Sequence, residues 1–138
     1  MITTVNDCKL LNLGTINDDR GKLTFVEGEI NIPFQIERIY YLYDVPLGKS
    51  RGGHAHKEIA QLMIAISGSF AVKIDDGKST KLITLSGPNY GLYIAKMIWR
   101  IISNFSMGSV CLVLASDHYD ELDYIRNFTD FLRLKGVA

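Results

Sequence analysis

Two imidazoles stand two residues apart in this 138-residue chain, at His54 and His56. On a β-strand, residues i and i+2 point to the same face, so both rings project together into whatever cavity that face lines. Arg51 lies three residues before the first ring and Gln61 five after the second. Imidazole titrates near neutrality and can both take and give a proton. A guanidinium holds phosphate oxygens in a two-pronged grip. Paired imidazoles with an arginine beside them suit proton transfer on an anionic substrate.

The elements around this stretch read as short strands. Cys8 to Gly14 is a first strand, followed by a polar loop over Thr15 to Gly21, and Lys22 to Glu29 is a second strand. Pro33 breaks the pattern because it donates no ladder bond. Glu37 to Val45, rich in Tyr and Ile, is a strand that ends before the Pro46-Leu47-Gly48 turn. Ala60 to Ser67 is an apolar run of strand length. Phe70, Val72 and Ile74 alternate with Ala71, Lys73 and Asp75, and Asp76-Gly77 is a hairpin turn. Thr80 to Ser86, Gly91 to Ala95, Ile98 to Phe105 and Val110 to Ala115 follow. Some nine or ten short strands at near-regular spacing predict a single all-β domain, a sandwich or barrel. Only the tail, Asn127 to Lys135, reads as a helix, with Phe128, Phe131 and Leu132 on one face.

Bulk properties narrow the function. Fifteen basic and fifteen acidic side chains cancel, which gives no footprint for nucleic acid or a charged membrane surface. No apolar run approaches the roughly 20 residues of a membrane helix. The first residues lack the basic and apolar regions of a signal peptide. Cys8 and Cys111 lack metal-type spacing, and Cys111 reads as a small buried hydrophobe. A reduced, cytoplasmic protein is the expectation.

The histidine stretch resembles the first motif of the cupin small-barrel fold. Gly48, five residues, His54-Ala55-His56, four residues, Gln61, six residues, Gly68 matches that motif in every spacing, with Gln for its Glu. The second motif aligns with Ala95 to Asn104, where Arg100 takes the place of its His and its Pro and Gly are absent. The resemblance implies a cupin-type jelly roll. A metal-binding cupin holds its ion with three histidines and a carboxylate. Here an amide is a weak ligand and a guanidinium has no lone pair to give. The reading is a pocket kept without its metal and without a cofactor.

A narrower resemblance spans about residues 18 to 128. Arg51-Gly52-Gly53-His54 is similar to the Arg-Gly-x-His of dTDP-4-dehydrorhamnose 3,5-epimerases, and Asp19-Arg20-Gly21 to their Asp-x-Arg-Gly. The His-Ala-His-Lys run, Gly91-Leu92-Tyr93, Trp99-Arg100 and Leu114 to Arg126 together resemble the dTDP-4-keto-6-deoxyglucose 3,4-ketoisomerases. That resemblance implies a dTDP-linked keto sugar as substrate. It makes His54 the base at C3 and His56 a second proton carrier, between oxygens or back to C4. It places Arg20 and Arg51 on the pyrophosphate and Arg100 near the sugar. A homodimer and a role in 3-amino sugar synthesis for surface glycans, such as lipopolysaccharide or an S-layer, follow from the same resemblance. Family members carry Tyr or His at the positions of Arg20 and Arg100, so both galacto and gluco products stay open.

Other residues read more blandly. Alternation sends Tyr41 and Tyr43 to one face and Tyr40 to the other, where it is placed near the ligand. Gln61 either orients a histidine or bonds a sugar hydroxyl. His118 reads as solvated, and Asp117, Asp120, Glu121 and Asp123 as a solvated loop. Three rival readings remain: a 3,5-epimerase, a metal-dependent cupin enzyme, and a non-catalytic sugar-nucleotide-binding cupin.

Overall fold

A computed structural model describes residues 2–137. The strands are β1 (Lys9–Asn12), β2 (Gly14–Asp18), β3 (Gly21–Phe25), β4 (Arg38–Tyr43), β5 (Arg51–His56), β6 (Gln61–Ser67), β7 (Phe70–Asp75), β8 (Thr80–Leu85), β9 (Tyr90–Ile94), β10 (Trp99–Ser103), β11 (Val110–Ala115) and β12 (Tyr124–Ile125). Among the described residues one α-helix, α1 (Phe128–Lys135), follows, and 3-10 turns lie at Val5–Asp7 and Glu121–Asp123. One five-stranded sheet has the order β1-β9-β6-β11-β4, and the other β12-β5-β10-β7-β8. Every ladder is antiparallel, as the hairpin-rich sequence requires. The two sheets face each other as a jelly roll of the cupin type.

Alternation decides which side chains fill the space between the sheets. Met63 and Ala65 of β6, Val72 and Ile74 of β7, and Cys111 and Val113 of β11 meet there with Phe70, Leu92 and Phe105. The intervening residues Leu62, Ile64 and Leu114 face outward and are still buried. Ile32, Phe34 and Ile36, from the loop after β3, cover them. With both faces covered over its first five residues, β6 is apolar from Leu62 to Ala65, which is why its sequence there shows no alternation.

Two boundary expectations are corrected. Thr15 to Gly21 is not a loop: Gly14–Asp18 pairs residue for residue with Gly21–Phe25 as a separate hairpin. Its side chains are largely solvated, and β2 carries only one large apolar residue, Ile16, so no apolar period marks that strand. The following strand stops at Phe25 rather than Glu29, because the chain there turns onto the outer face of the first sheet.

The turns and caps follow residue chemistry. The Asp76 carboxylate accepts from the backbone N–H groups of Lys78 (2.9 Å) and Ser79 (2.8 Å) and also from Val5 (2.9 Å). It thereby ties the β7–β8 turn to the amino-terminal segment. Asn127 caps α1 by accepting from Asp130 N at 3.0 Å, one residue before the helix proper. Gly136, at φ 78°, ends it in the left-handed conformation that glycine adopts without strain. Phe131 of α1 is fully buried against Trp99, and this packs the helix on the back of the second sheet.

Candidate active site

A β-bulge places the first three site residues. Arg100 of β10 pairs with His54, but Ile101 pairs with Gly52, leaving Gly53 as an extra residue in β5. Without that insertion Arg51, three residues before His54, would point to the opposite face. With it, Arg51 and His54 line the same cavity. Gly52 has φ 87°, and a Cβ there would lie 2.9 Å from the Arg100 carbonyl oxygen, so the bulge requires glycine.

The cavity lies between the sheets and has a volume of about 270 Å³. Arg38, Arg51, Arg100 and Arg126 line it, and among the described residues no carboxylate does. A larger depression of about 680 Å³ lies on the outer face of the first sheet. Its only ionisable lining side chain among the described residues is Lys22, so it offers no base. The smaller, more polar cavity is where chemistry can occur.

Arg100 forms its floor. The side chain is buried, and its Nη1 donates to the Gln61 amide oxygen at 2.6 Å while Nε and Nη2 donate to the Ile98 carbonyl. Gln61 in turn donates to the Tyr40 hydroxyl at 3.2 Å. Gln61 thus bridges Arg100 and Tyr40 and does not orient a histidine. Burial works against the charge of Arg100 and lowers its pKa, but a guanidinium stays protonated regardless. A buried cation with no carboxylate beside it in the cavity favours an anion or a developing negative charge.

His54 lines this cavity, with its Nε2 buried and without a partner. His56 does not line it. It lies behind, fully buried, with its ring edge-on to His54 at a centroid distance of 5.0 Å and against Tyr124 at 4.4 Å. Its Nδ1 is 3.0 Å from the Asp123 carboxylate. Asp123 is the clearest correction to the sequence reading. It is not in a solvated loop but is buried, and it also accepts from the backbone of Glu58 at 2.8 Å and Ile59 at 3.4 Å. With Nδ1–H donating to Asp123, the Nε2 of His56 is left bare and unpartnered.

The remaining assignments divide. Tyr40 faces the cavity, while Tyr41 and Tyr43 are exposed on the far side of β4, as alternation predicts. His118 is solvated and stands 3.8 Å from Glu37. Arg20 is not brought to the cavity of its own chain. It sits at the tip of the β2–β3 hairpin, largely exposed and paired with Asp18 at 2.8 Å. Arg38, Tyr124 and Arg126 are polar cavity residues to which the sequence reading gave no role, and Leu42, Met63 and Ile102 complete the apolar lining. Arg38 was findable, since it lies two residues before Tyr40 on the same strand and so shares its face.

Comparison with known proteins places the chain in a family. A family model described as FdtA, WxcM-like, C-terminal, matches residues 6–136. The chain belongs to this family. It is 44% identical over 123 residues to the TDP-4-oxo-6-deoxy-alpha-D-glucose-3,4-oxoisomerase of Aneurinibacillus thermoaerophilus, covering 89% of this chain and 88% of the relative. A crystal structure of a 3,4-ketoisomerase from Helicobacter canadensis superposes with a TM-score of 0.91 at 48% identity, covering 94% of this chain and 98% of that one. QdtA, a sugar 3,4-ketoisomerase from Thermoanaerobacterium thermosaccharolyticum solved with TDP, superposes with a TM-score of 0.93 at 39% identity, covering 96% and 97%. The FdtA-family chain is therefore an enzyme, a sugar 3,4-ketoisomerase. Among its described residues no helix is long and apolar enough to cross a membrane.

In this ketoisomerase both imidazoles are neutral at pH 7. Burial, then the charge of Arg100, pushes His54 down to about 4. Burial, Arg100 and His54 push His56 lower still. A histidine whose folded pKa lies below its unfolded value resists protonation only when folded. Its contribution to stability is complete above pH 6.5 and is lost as pH falls from there toward 4. The expected loss by pH 5 is on the order of 2 kcal/mol per histidine. Because kcat/KM reports groups of the free enzyme, its acid limb is expected near pH 4 rather than 6.5. A pH–rate profile with a matched denaturation series checks both. An acid limb at 6.5 would mean that the base is solvated.

The cupin superfamily includes metal enzymes, so the donor set bears on the fit of an ion. Beside His54 and His56 stand an amide already bonded to Arg100 and the guanidinium itself. A fixed positive charge at that position repels a divalent cation, and the set does not fit one.

Proposed function

We propose that the substrate is dTDP-4-keto-6-deoxy-D-glucose and that the chain moves its ketone from C4 to C3 by metal-independent acid/base transfer. One observation carries this reading: a neutral imidazole with a bare nitrogen opens onto a cavity floored by a buried guanidinium. The C4 ketone acidifies the C3 proton, and His54 removes it. The electron pair moves into an enediolate whose C4 oxygen carries negative charge. Arg100 stabilises that oxygen, the kind of interaction that dominates such sites. Transfer of the C3 hydroxyl proton to the C4 oxygen and return of a proton from the imidazolium to C4 leave a ketone at C3 and a hydroxyl at C4. His56, held by Asp123, is the second proton carrier. Arg51 binds the pyrophosphate, Gln61 and Tyr40 frame the sugar end, and the product feeds 3-amino sugar synthesis.

The experiment is incubation of chelator-treated protein with dTDP-4-keto-6-deoxyglucose, followed by NMR. A 3-keto product at undiminished rate is expected. Activity that vanishes on chelation and returns with a divalent ion would refute the metal-free mechanism.

We also propose a homodimer. The β2–β3 hairpin exposes Ile16, Leu23 and Phe25, and the neighbouring outer face of the first sheet exposes Ile39, Tyr41 and Tyr43. Isolated exposed apolar residues are ordinary, but a projecting apolar hairpin beside an apolar groove and an edge strand fits a second copy. Exchange of hairpins would also give Arg20 a pyrophosphate to bind, in the partner's cavity. Light scattering is expected to show a dimer for the wild type and a monomer for Phe25→Asp. A monomeric wild type at micromolar concentration would refute it.

A further inference from the structure

We propose that Tyr40 is the catalytic residue that carries the proton between the two sugar oxygens, with its hydroxyl aimed by the Arg100–Gln61 pair. This role deepens the substrate reading above and rests on it. Moving a ketone from C4 to C3 takes two transfers, one from carbon to carbon and one from oxygen to oxygen. His54 performs the first. The second needs a group on the cavity wall that can both give and take a proton, and His56 does not line the cavity. Among the described residues, Tyr40 and Tyr124 are the lining side chains besides His54 that carry such a group. Tyr124 packs against both imidazoles on their own sheet. Tyr40 stands on β4 of the other sheet, across the cavity from the base.

A directed hydrogen-bond chain sets what Tyr40 can do. A guanidinium only donates, so the 2.6 Å contact from Arg100 Nη1 turns the Gln61 amide with its oxygen toward Arg100. The amide nitrogen then faces Tyr40 and donates to its hydroxyl oxygen at 3.2 Å. The phenol accepts on that side, and its own proton has no acceptor among the described residues. A cation at the head of the chain polarises each bond along it and strengthens the terminal O–H as a donor. Burial still raises the phenol's pKa, so it meets the substrate ketone protonated. In the reaction, His54 takes the C3 proton, and the electron pair forms the C3–C4 double bond and leaves the charge on the C4 oxygen. Tyr40 gives its proton to the C4 oxygen and takes the one on the C3 oxygen. The C3 oxygen becomes the carbonyl, the double-bond pair takes the imidazolium proton at C4, and Tyr40 ends as it began.

Tyr40→Phe removes the hydroxyl and keeps the ring that Arg38 covers at 4.6 Å. NMR of dTDP-4-keto-6-deoxyglucose with this variant in heavy water reads both turnover and exchange. Turnover is expected to fall roughly 100-fold, the low end of what a positioned proton carrier contributes. His54 still takes the C3 proton, so the stalled enediolate returns to substrate. Deuterium entering C3 of unconverted substrate, relative to product formed, is therefore expected to rise above wild type. Gln61→Glu is the second variant, because its carboxylate accepts the phenolic proton and turns it away from the cavity. The same rise is expected there with Tyr40 in place, and this variant serves as the test if the phenylalanine one does not fold. Unchanged turnover in folded Tyr40→Phe, or slower turnover with the exchange ratio unchanged in either variant, would overturn the carrier role. A wild type that neither exchanges the C3 proton nor forms product would instead overturn the substrate reading itself, and the role of Tyr40 with it.

Discussion

Replacing His54 with asparagine is expected to lower kcat by roughly a thousandfold, within the range a positioned general base contributes, and to leave TDP affinity nearly unchanged. The two halves of this result come from the same geometry. His54 is the histidine that lines the cavity, and its buried Nε2 has no partner to lose. In its neutral state it contributes no charge to phosphate binding, which falls to the arginines. Asparagine approximates the ring's polar edge but cannot accept a proton near neutrality. A matching loss of TDP affinity would mean that the ring holds the ligand and does not act on it. Full activity would move the base to another residue, with Tyr124, packed 5.0 Å from the His54 ring, the first to test.

Arg100→Met is expected to produce the second large effect, with stability and activity moving in opposite directions. The guanidinium is fully buried without a carboxylate beside it in the cavity. Replacing a buried charge by an apolar side chain of similar length is neutral or stabilising by about 1–4 kcal/mol in comparable cases. Against that, the Gln61 amide oxygen loses its 2.6 Å donor. The net expectation is a melting temperature no lower than wild type. Activity is expected to fall by about 10²–10³ in kcat, the usual loss when one donor to a developing oxyanion is removed. Such a split would identify Arg100 as a group retained for chemistry at the expense of stability. A strongly lowered melting temperature would instead make it a structural strut.

Much of the site was legible in the sequence because β-alternation is a short-range rule. The pairing of His54 with His56 and the separation of Tyr40 from Tyr41 and Tyr43 needed nothing beyond it. Arg51 lines the cavity although simple alternation puts it on the opposite face. The Gly52-Gly53 bulge restores the parity, and two consecutive glycines at positive φ are its local mark. Asp123 could not be found this way. It sits among Asp117, Asp120 and Glu121, and nothing local distinguishes the one carboxylate that folds inward from those that stay in water. What selects it is tertiary: β12 pairs with β5 at Tyr124–His56 and brings the preceding residue to the ring. The first strand of the β2–β3 hairpin was missed for a related reason, while its partner was read as a strand. Backbone pairing holds Gly14–Asp18 in place, and a single large apolar side chain, Ile16, leaves no period to read.

The division between the two histidines was also beyond sequence. Equal spacing suggested equal access to substrate, whereas His54 faces the cavity and His56 is enclosed behind it. Enclosure and the Asp123 contact make the second ring a fixed neighbour with one unpartnered nitrogen, Nε2.

The central claim is that neutral imidazoles, without a metal, carry hydrogen between adjacent carbons of a keto sugar. Its most direct test is NMR of dTDP-4-keto-6-deoxyglucose incubated with metal-stripped protein in heavy water. The account predicts a ketone at C3, with any deuterium confined to C3 of the substrate and C4 of the product. Deuterium at C5, or substrate returned with its ketone still at C4, would contradict it.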